Sequence, residues 1–309
     1  MKTERDMGKA VGRVAKGALL AVGLACLFQP TLARAFLINS WEPVAIGEVK
    51  ESNSGDSPQP GYSWTEPVTK MEMIWLSGGC YQMGSPPKAS GRDADEGPVH
   101  QACLSGFWMG RYEVTQGQWE KIVRNNPASF RKGHSYPIEG VSWEDIEGFL
   151  DKLNGQQSDP KIRFRLPTEA EWEFACRNGG KRVRYAGGET PDQLGWYRQN
   201  SGRTTQVVGS REANSLGFGD MSGNVWEWVG DTYSRDSYKR HTRDNPSWEG
   251  HSGYRVIRGG GWESQPGALR CANRGFELFS TRRPDLGLRL VAVLDQTVKK
   301  RPKLSELPF

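Results

Sequence analysis

Histidine is scarce. The 309 residues hold four, His100, His134, His241 and His251, and no two stand at H-x-x-H or H-x-x-x-H spacing. That excludes a metal site built from two histidines on one helix face. Each is expected at the surface or in an ordinary hydrogen bond. Charge of one sign is also lacking, since a formal net charge of +5 is mild for this length. No basic stripe interleaved with aromatics occurs, so a nucleic-acid partner is not expected. Long apolar runs are missing beyond Phe28, which argues against a membrane span in the mature chain. There is no internal repeat, no sign of a second domain, and no EF-hand spacing. Cysteine is sparse, with five in all.

Glycine (38) and tryptophan (12) are what the chain has in quantity. Together with the short apolar runs they indicate a loop-rich α+β fold with aromatic cores. The first 35 residues read as a signal peptide. Lys2, Arg5, Lys9, Arg13 and Lys16 precede the apolar Ala18–Phe28, and Ala33-Arg34-Ala35 supplies an A-x-A cleavage pattern. The protein is therefore expected to be periplasmic or secreted. Cleavage removes Cys26 and leaves Cys80, Cys103, Cys176 and Cys271. An even number in an oxidising compartment favours disulfides over free thiols.

Residues 36–70 mix Pro, Gly, Ser and charge without periodicity and read as an extended or disordered lead-in. One domain is expected over 71–295, followed by a charged tail at 296–309. Within the domain, Met71–Met83 reads as a strand, a turn at Gly78-Gly79 and a second strand. Lys88–Gly97 is an exposed loop, and Phe107–Tyr112 resumes strand character. Three helix starts share one grammar: Thr115 with Gln118, Ser142 with Asp145, and Thr168 with Glu171 are capping boxes, each worth roughly 1 kcal/mol. The acids Glu169, Glu171 and Glu173 are structural on this reading. From Gly179 to Gly219 only short strands and loops are expected. Asp231–Gly253 reads as a surface excursion, and Val256–Val293 carries the last strands.

The densest stretch is Gly219–Asp231, GDMSGNVWEWVGD. Gly223-Asn224 favours a tight turn, because both tolerate positive φ, and Val225–Trp228 is strand-like. Asp220 and Glu227 flank the turn, so carboxylate and carbonyl oxygens could surround a hard cation. The competing reading is a core turn with buried tryptophans and carboxylates satisfied by backbone amides.

Gly223-Asn224-Val225-Trp226-Glu227-Trp228 resembles the signature of the formylglycine-generating enzyme (sulfatase-modifying factor) family. Further segments match in order: Ser77–Gly84, Tyr112–Trp119, Arg165–Glu173, Arg255–Trp262 and Leu286–Val291. The resemblance spans Met71 to Val293. It implies a single loop-rich domain of C-type-lectin-like α+β fold, with Cys176 paired to Cys271, which leaves Cys80 for Cys103. It also implies calcium on Asp220, Gly223, Val225 and Glu227. A broad C-terminal groove is implied, lined by Trp226, Trp262, Glu263, Gln265, Arg270, Arg274, Phe276 and Arg289. Such a groove suits a protein, a peptide or a small anionic ligand.

The family's oxidases use two active-site cysteines that bind copper, as soft thiolates do. The corresponding stretch here, Gly261–Leu269, has no cysteine; Ser264 falls at the first thiol position, and Gly261 replaces the serine beside it. No copper is therefore expected, and the chain is identified as a divergent member. Two functions follow from the resemblance. One is a catalytically silent ligand-binding or accessory module. The other is a divergent periplasmic oxidoreductase of the kind found in pyoverdine maturation or beside nitrite reductase. A true formylglycine-generating oxidase acting on a sulfatase cysteine is the weakest reading.

Overall fold

The computed structural model describes residues 58–59 and 61–294. The expected signal peptide, most of the lead-in and the charged tail lie outside the described residues. In chain order come β1 (Ser63–Thr65), β2 (Glu72–Leu76), β3 (Gly79–Met83), β4 (His100–Leu104) and β5 (Phe107–Gly110). The helices α1 (Gln116–Val123) and α2 (Trp143–Gly155) follow, then β6 (Ile162–Arg165), α3 (Glu169–Cys176), β7 (Trp226–Thr232), β8 (Tyr254–Arg258), β9 (Gly275–Leu278), β10 (Leu286–Leu288) and β11 (Val291–Leu294). The fold is α+β, with a 49-residue stretch between α3 and β7 (177–225) that contains no helix or strand.

A five-stranded sheet runs in the order β1-β2-β5-β11-β6, all antiparallel. Its three inner strands, β2, β5 and β11, read as nearly unbroken apolar runs because both of their faces are covered, whereas the edge strands β1 and β6 alternate apolar with polar residues. Ile74, Met109 and Val291 pack with Trp172 and Phe174 of α3. Their neighbours Met73, Trp108 and Ala292 pack on the other face with Trp119, Ile146 and Phe149 of α1 and α2. Rings of Trp119 and Phe149 stack at 4.7 Å and join those two helices. A second, four-stranded sheet runs β10-β7-β8-β9, with β10 parallel to β7. The hairpin β3-β4 stands apart as a two-stranded sheet.

All three capping boxes form, on Thr115, Ser142 and Thr168, with both reciprocal hydrogen bonds in each. The strand-turn-strand expected at Met71–Met83 is present, but its arms do not pair. The positive φ of 74° at Gly78 and 138° at Gly79 sends β3 away from β2 into its own hairpin. The lead-in expectation needs correction at its C-terminal end. Ser63–Thr65 pairs with Glu72–Ile74, and Trp64 stacks on Phe164 at 6.2 Å. The segment is held by this pairing, by the rings of Tyr62 and Trp64 against Trp108, and by the buried Glu66, which accepts from the Val68 and Thr69 amides. The loop 88–97 and the excursion 231–253 also differ from expectation, because Asp95, Glu96, Asp231 and Tyr238 are buried. No described helix is long and apolar enough to cross a membrane.

Candidate functional site

The signature turn is built by backbone conformations few residues accept. Asp220, Gly223 and Asn224 have φ of 60°, 112° and 64°, and a Cβ at Gly223 would lie 2.4 Å from the Trp196 carbonyl. Asn224 is used on every side. Its Nδ2 donates to Glu113 Oε2 (2.6 Å), and its Oδ1 accepts from the Gln206 amide (2.9 Å). Glu113 also accepts from the Val225 amide (3.0 Å). Glu227 is equally committed: Trp172 Nε1 donates to Oε2 (2.7 Å), while Arg289 donates to both oxygens (2.8 and 3.1 Å). Arg289 reaches on to the carbonyls of Gly110 and Gly219 (2.9 and 2.8 Å).

This cluster has more acid than base. Glu113, Asp220 and Glu227 share one guanidinium. Burial, then the charges of Asp220 and Glu227, holds the Glu113 carboxyl well above the usual range. Burial likewise pushes Asp220 up to about 6. Asp220 Oδ2 accepts from the Gly209 amide (2.6 Å), and its buried Oδ1 has no hydrogen-bond partner. Asp220 and Glu227, two of the four residues expected to hold calcium, lie beside the same guanidinium of Arg289, and among the described residues no three acidic, histidine or cysteine side chains are grouped as a metal site. A calcium ion here would have to take Asp220 Oδ1 and backbone carbonyls, because both Glu227 oxygens are already held by Arg289 and Trp172.

A second buried charge network centres on α3. Glu169 and Glu173, four apart, share a helix face. Arg274 donates to both Glu169 oxygens (2.7 and 2.9 Å), and Arg258 bridges Glu169 (3.1 Å) to Glu173 (2.7 Å). Arg177 approaches Glu173 at 2.9 Å. Asp231, reaching over from β7, accepts from the Glu169 amide at the start of α3 (2.7 Å) and from the Trp248 amide (2.8 Å); burial, then neighbouring Glu169, raises its carboxyl to about 7. Nearby, Arg270 makes a bidentate pair with Glu96 (2.9 and 2.6 Å).

The expected groove is corrected by these partners. Arg274 and Arg289 do not face a ligand groove, because each is buried in ion pairs. Arg270 is also paired, although its flank lines a different cleft, between the β3-β4 connection and the loop after α3. The remaining groove residues separate into three places. Trp262 and Glu263 line a cleft of about 160 Å³ with Arg198 and Arg203; Gln265 is not among its lining residues and accepts from Gln199 Nε2 at the surface (3.4 Å). Trp226, half-buried, is bracketed by Gly261 and Gly275, where a Cβ would come within 3.2 and 2.8 Å of its ring. Phe276 lies elsewhere, exposed on the edge strand β9 and stacked on Tyr233 at 4.1 Å.

The cysteines pair as expected, Cys80 with Cys103 across the β3-β4 hairpin and Cys176 with Cys271. Ser264, at the position of the missing thiol, accepts from the Gly261 amide (2.9 Å) and closes a turn. Glu113, Arg258, Arg198 and Arg203 carried no assignment in the sequence, whereas Glu169 and Glu173, read there as structural, sit in buried ion pairs. The signal for that role is the spacing Glu169-x-x-x-Glu173, two acids on one face of a helix whose residues are all buried.

Residues 60–294 match the sulfatase-modifying factor enzyme 1-like domain. The chain is 29% identical to the chaperone protein LppX of Paenibacillus barcinonensis over 71% of this chain and 89% of that protein. It is 31% identical to the serine/threonine-protein kinase pkn1 of Chlamydia caviae over 75% of this chain, which spans only 38% of that kinase. Among solved structures, PvdO from Pseudomonas aeruginosa superposes with a TM-score of 0.69 at 26% identity, over 77% of this chain and all of that one.

Proposed function

The chain belongs to the sulfatase-modifying factor family as a divergent member without the active-site cysteine pair, and from that premise we propose an exported ligand-binding or accessory module rather than a copper oxidase. The observation that carries this is the state of the thiols. All four cysteines of the described residues are consumed in two disulfides, and the Gly261–Leu269 stretch holds a serine-closed turn instead of a thiolate pair. A hydroxyl does not replace a thiolate as a ligand for monovalent copper. Two disulfides suit an oxidising compartment, which supports export through the N-terminal signal sequence. The likeness to a protein named as a chaperone supports an accessory role.

The ligand surface on this reading is the Trp262 cleft, where an aromatic wall meets Arg198, Arg203 and Glu263. It suits a peptide or a small anion that stacks on the indole and pairs with a guanidinium. Calcium at the Asp220 turn is part of the same proposal, supported by the unpartnered Oδ1 and the surplus of acid around it.

Thiol counting under denaturing, non-reducing conditions, with copper(I) titration of the mature protein, tests the proposal. Zero free thiols and no stoichiometric copper are expected. Two reactive thiols with tight copper(I) binding and oxidation of a cysteine peptide would overturn it in favour of an oxidase.

A further inference from the structure

A cleft of about 690 Å³ opens between the β3-β4 connection and the loop that follows α3. Its size is that of a small-molecule site, and it shares no lining residue with the Trp262 cleft. Five arginines face it (92, 177, 182, 184 and 270) against one acid, Glu189. They form two sets. Arg177 and Arg270 are 7% and 4% exposed and are fixed from behind by Glu173 and Glu96. The Arg270 Nε is buried without a hydrogen-bond partner, which costs stability unless a ligand accepts from it. Arg92, Arg182 and Arg184 have no carboxylate partner among the described residues; Arg92 donates only to the Ser85 carbonyl (3.1 Å). Three uncompensated guanidiniums against Glu189 leave a surplus of about two positive charges. The walls between them are apolar, with Pro86, Pro87, Val99 and Val183.

We infer that this cleft binds a small organic anion carrying two or more negative groups on an apolar body. Guanidinium forks recognise carboxylate, phosphate or sulfate groups, and the proline and valine walls desolvate the body between them. This site stands independently of the function proposed above.

Benzene-1,3,5-tricarboxylate is the probe, titrated calorimetrically at low salt into the mature protein, with benzene-1,3,5-trimethanol as its neutral counterpart. One site is expected for the tricarboxylate, weakening as salt rises, and none for the triol. Arg182 and Arg184 are exposed, and neither makes an ion pair among the described residues, so R182Q/R184Q should keep the wild-type melting temperature. That variant should bind about tenfold more weakly or worse, on the scale of two charge-assisted hydrogen bonds. The exposed control K132Q should bind like wild type. No saturable binding by wild type, undiminished binding by R182Q/R184Q, or loss of binding in R198Q/R203Q instead would overturn the inference.

Discussion

The buried Asp220 carboxyl sits near 6, against 3.8 for an unfolded chain, and Asp220→Asn turns that difference into a measurable stability. The folded state holds the proton more tightly, so the unfolded state binds fewer protons between pH 3.8 and 6, and stability falls as pH rises across that window. Below the window the penalty is absent; above 6 it is complete. A gap of about 2 in pKa at 1.36 kcal/mol each gives roughly 3 kcal/mol. Asparagine removes the charge but keeps an oxygen for the Gly209 amide and tolerates the φ of 60°. The bond of the ionised carboxylate to the Gly209 amide is already contained in the value near 6, and asparagine stands in for the neutral acid. D220N should therefore be more stable than wild type by roughly 3 kcal/mol at pH 7 to 8 and close to wild type at pH 4. Urea unfolding at four pH values, in EGTA, measures it. Excess calcium should reverse the sign at pH 7 if an ion binds this turn, because a bound carboxylate must stay ionised. A D220N protein less stable than wild type at every pH in EGTA, or a difference that does not change with pH, would refute the reasoning.

Glu169→Gln should lower stability by about 3–5 kcal/mol, since it leaves Arg258 and Arg274 buried without their shared partner. Burial raises the Glu169 carboxyl, but Arg274 and Arg258 outweigh it and hold the value below 4.5. Its stabilisation is thus present above pH 4.5 and lost as pH falls below, a slope in acid unfolding that E169Q should lack. Arg289→Met should cost about 3–5 kcal/mol, and adding Glu227→Gln should recover much of that loss, because the pair rather than one charge is then removed; unfolding of the single and double variants decides. Removing Cys176–Cys271, which closes 95 residues, should cost about 5 kcal/mol on chain-entropy grounds. Removing Cys80–Cys103, which closes 23, should cost about 3; equal effects in denaturant unfolding would contradict that ranking.

The sequence and the structure agree best where the physics is local. Thr115, Ser142 and Thr168 cap helices because each cap needs only a hydroxyl and an acid or amide three residues on. Gly223-Asn224 turns because both residues accept positive φ. Disagreement begins where long-range partners decide. Arg270, Arg274 and Arg289 look like solvent-facing forks in the chain, but Glu96, Glu169 and Glu227, between 62 and 174 residues away, bury them. Ser63–Thr65 pairs with nearby β2, but the rings that Trp64 packs on, Trp108 and Phe164, come from 44 and 100 residues downstream, so no window around residue 64 contains the whole reason. Likewise, Arg198 and Arg203 reach the Trp262 cleft from a stretch without periodicity, where pattern reading has nothing to hold.

The signature itself turns out to be occupied with structure. Asn224 ties the turn to Glu113, 111 residues earlier. Glu227 joins α3, through Trp172, to Arg289 at the end of β10. Trp228 donates to the Val141 carbonyl just before α2 (3.0 Å). Each motif residue thereby fixes one segment of the fold to another, and none of these three presents a free polar group to solvent. A motif of this kind specifies membership in the family through the architecture it closes. It is silent about chemistry, because replacing the thiols near Gly261 by a serine turn disturbs none of these bonds. On the two proposals above, ligand binding falls to the short segments the motif holds in place, at the Trp262 cleft and the arginine-lined cleft. The two clefts share no lining residue, and the Arg177–Glu173 ion pair of the α3 network stands behind the second, so on those proposals a substitution in one leaves the other intact.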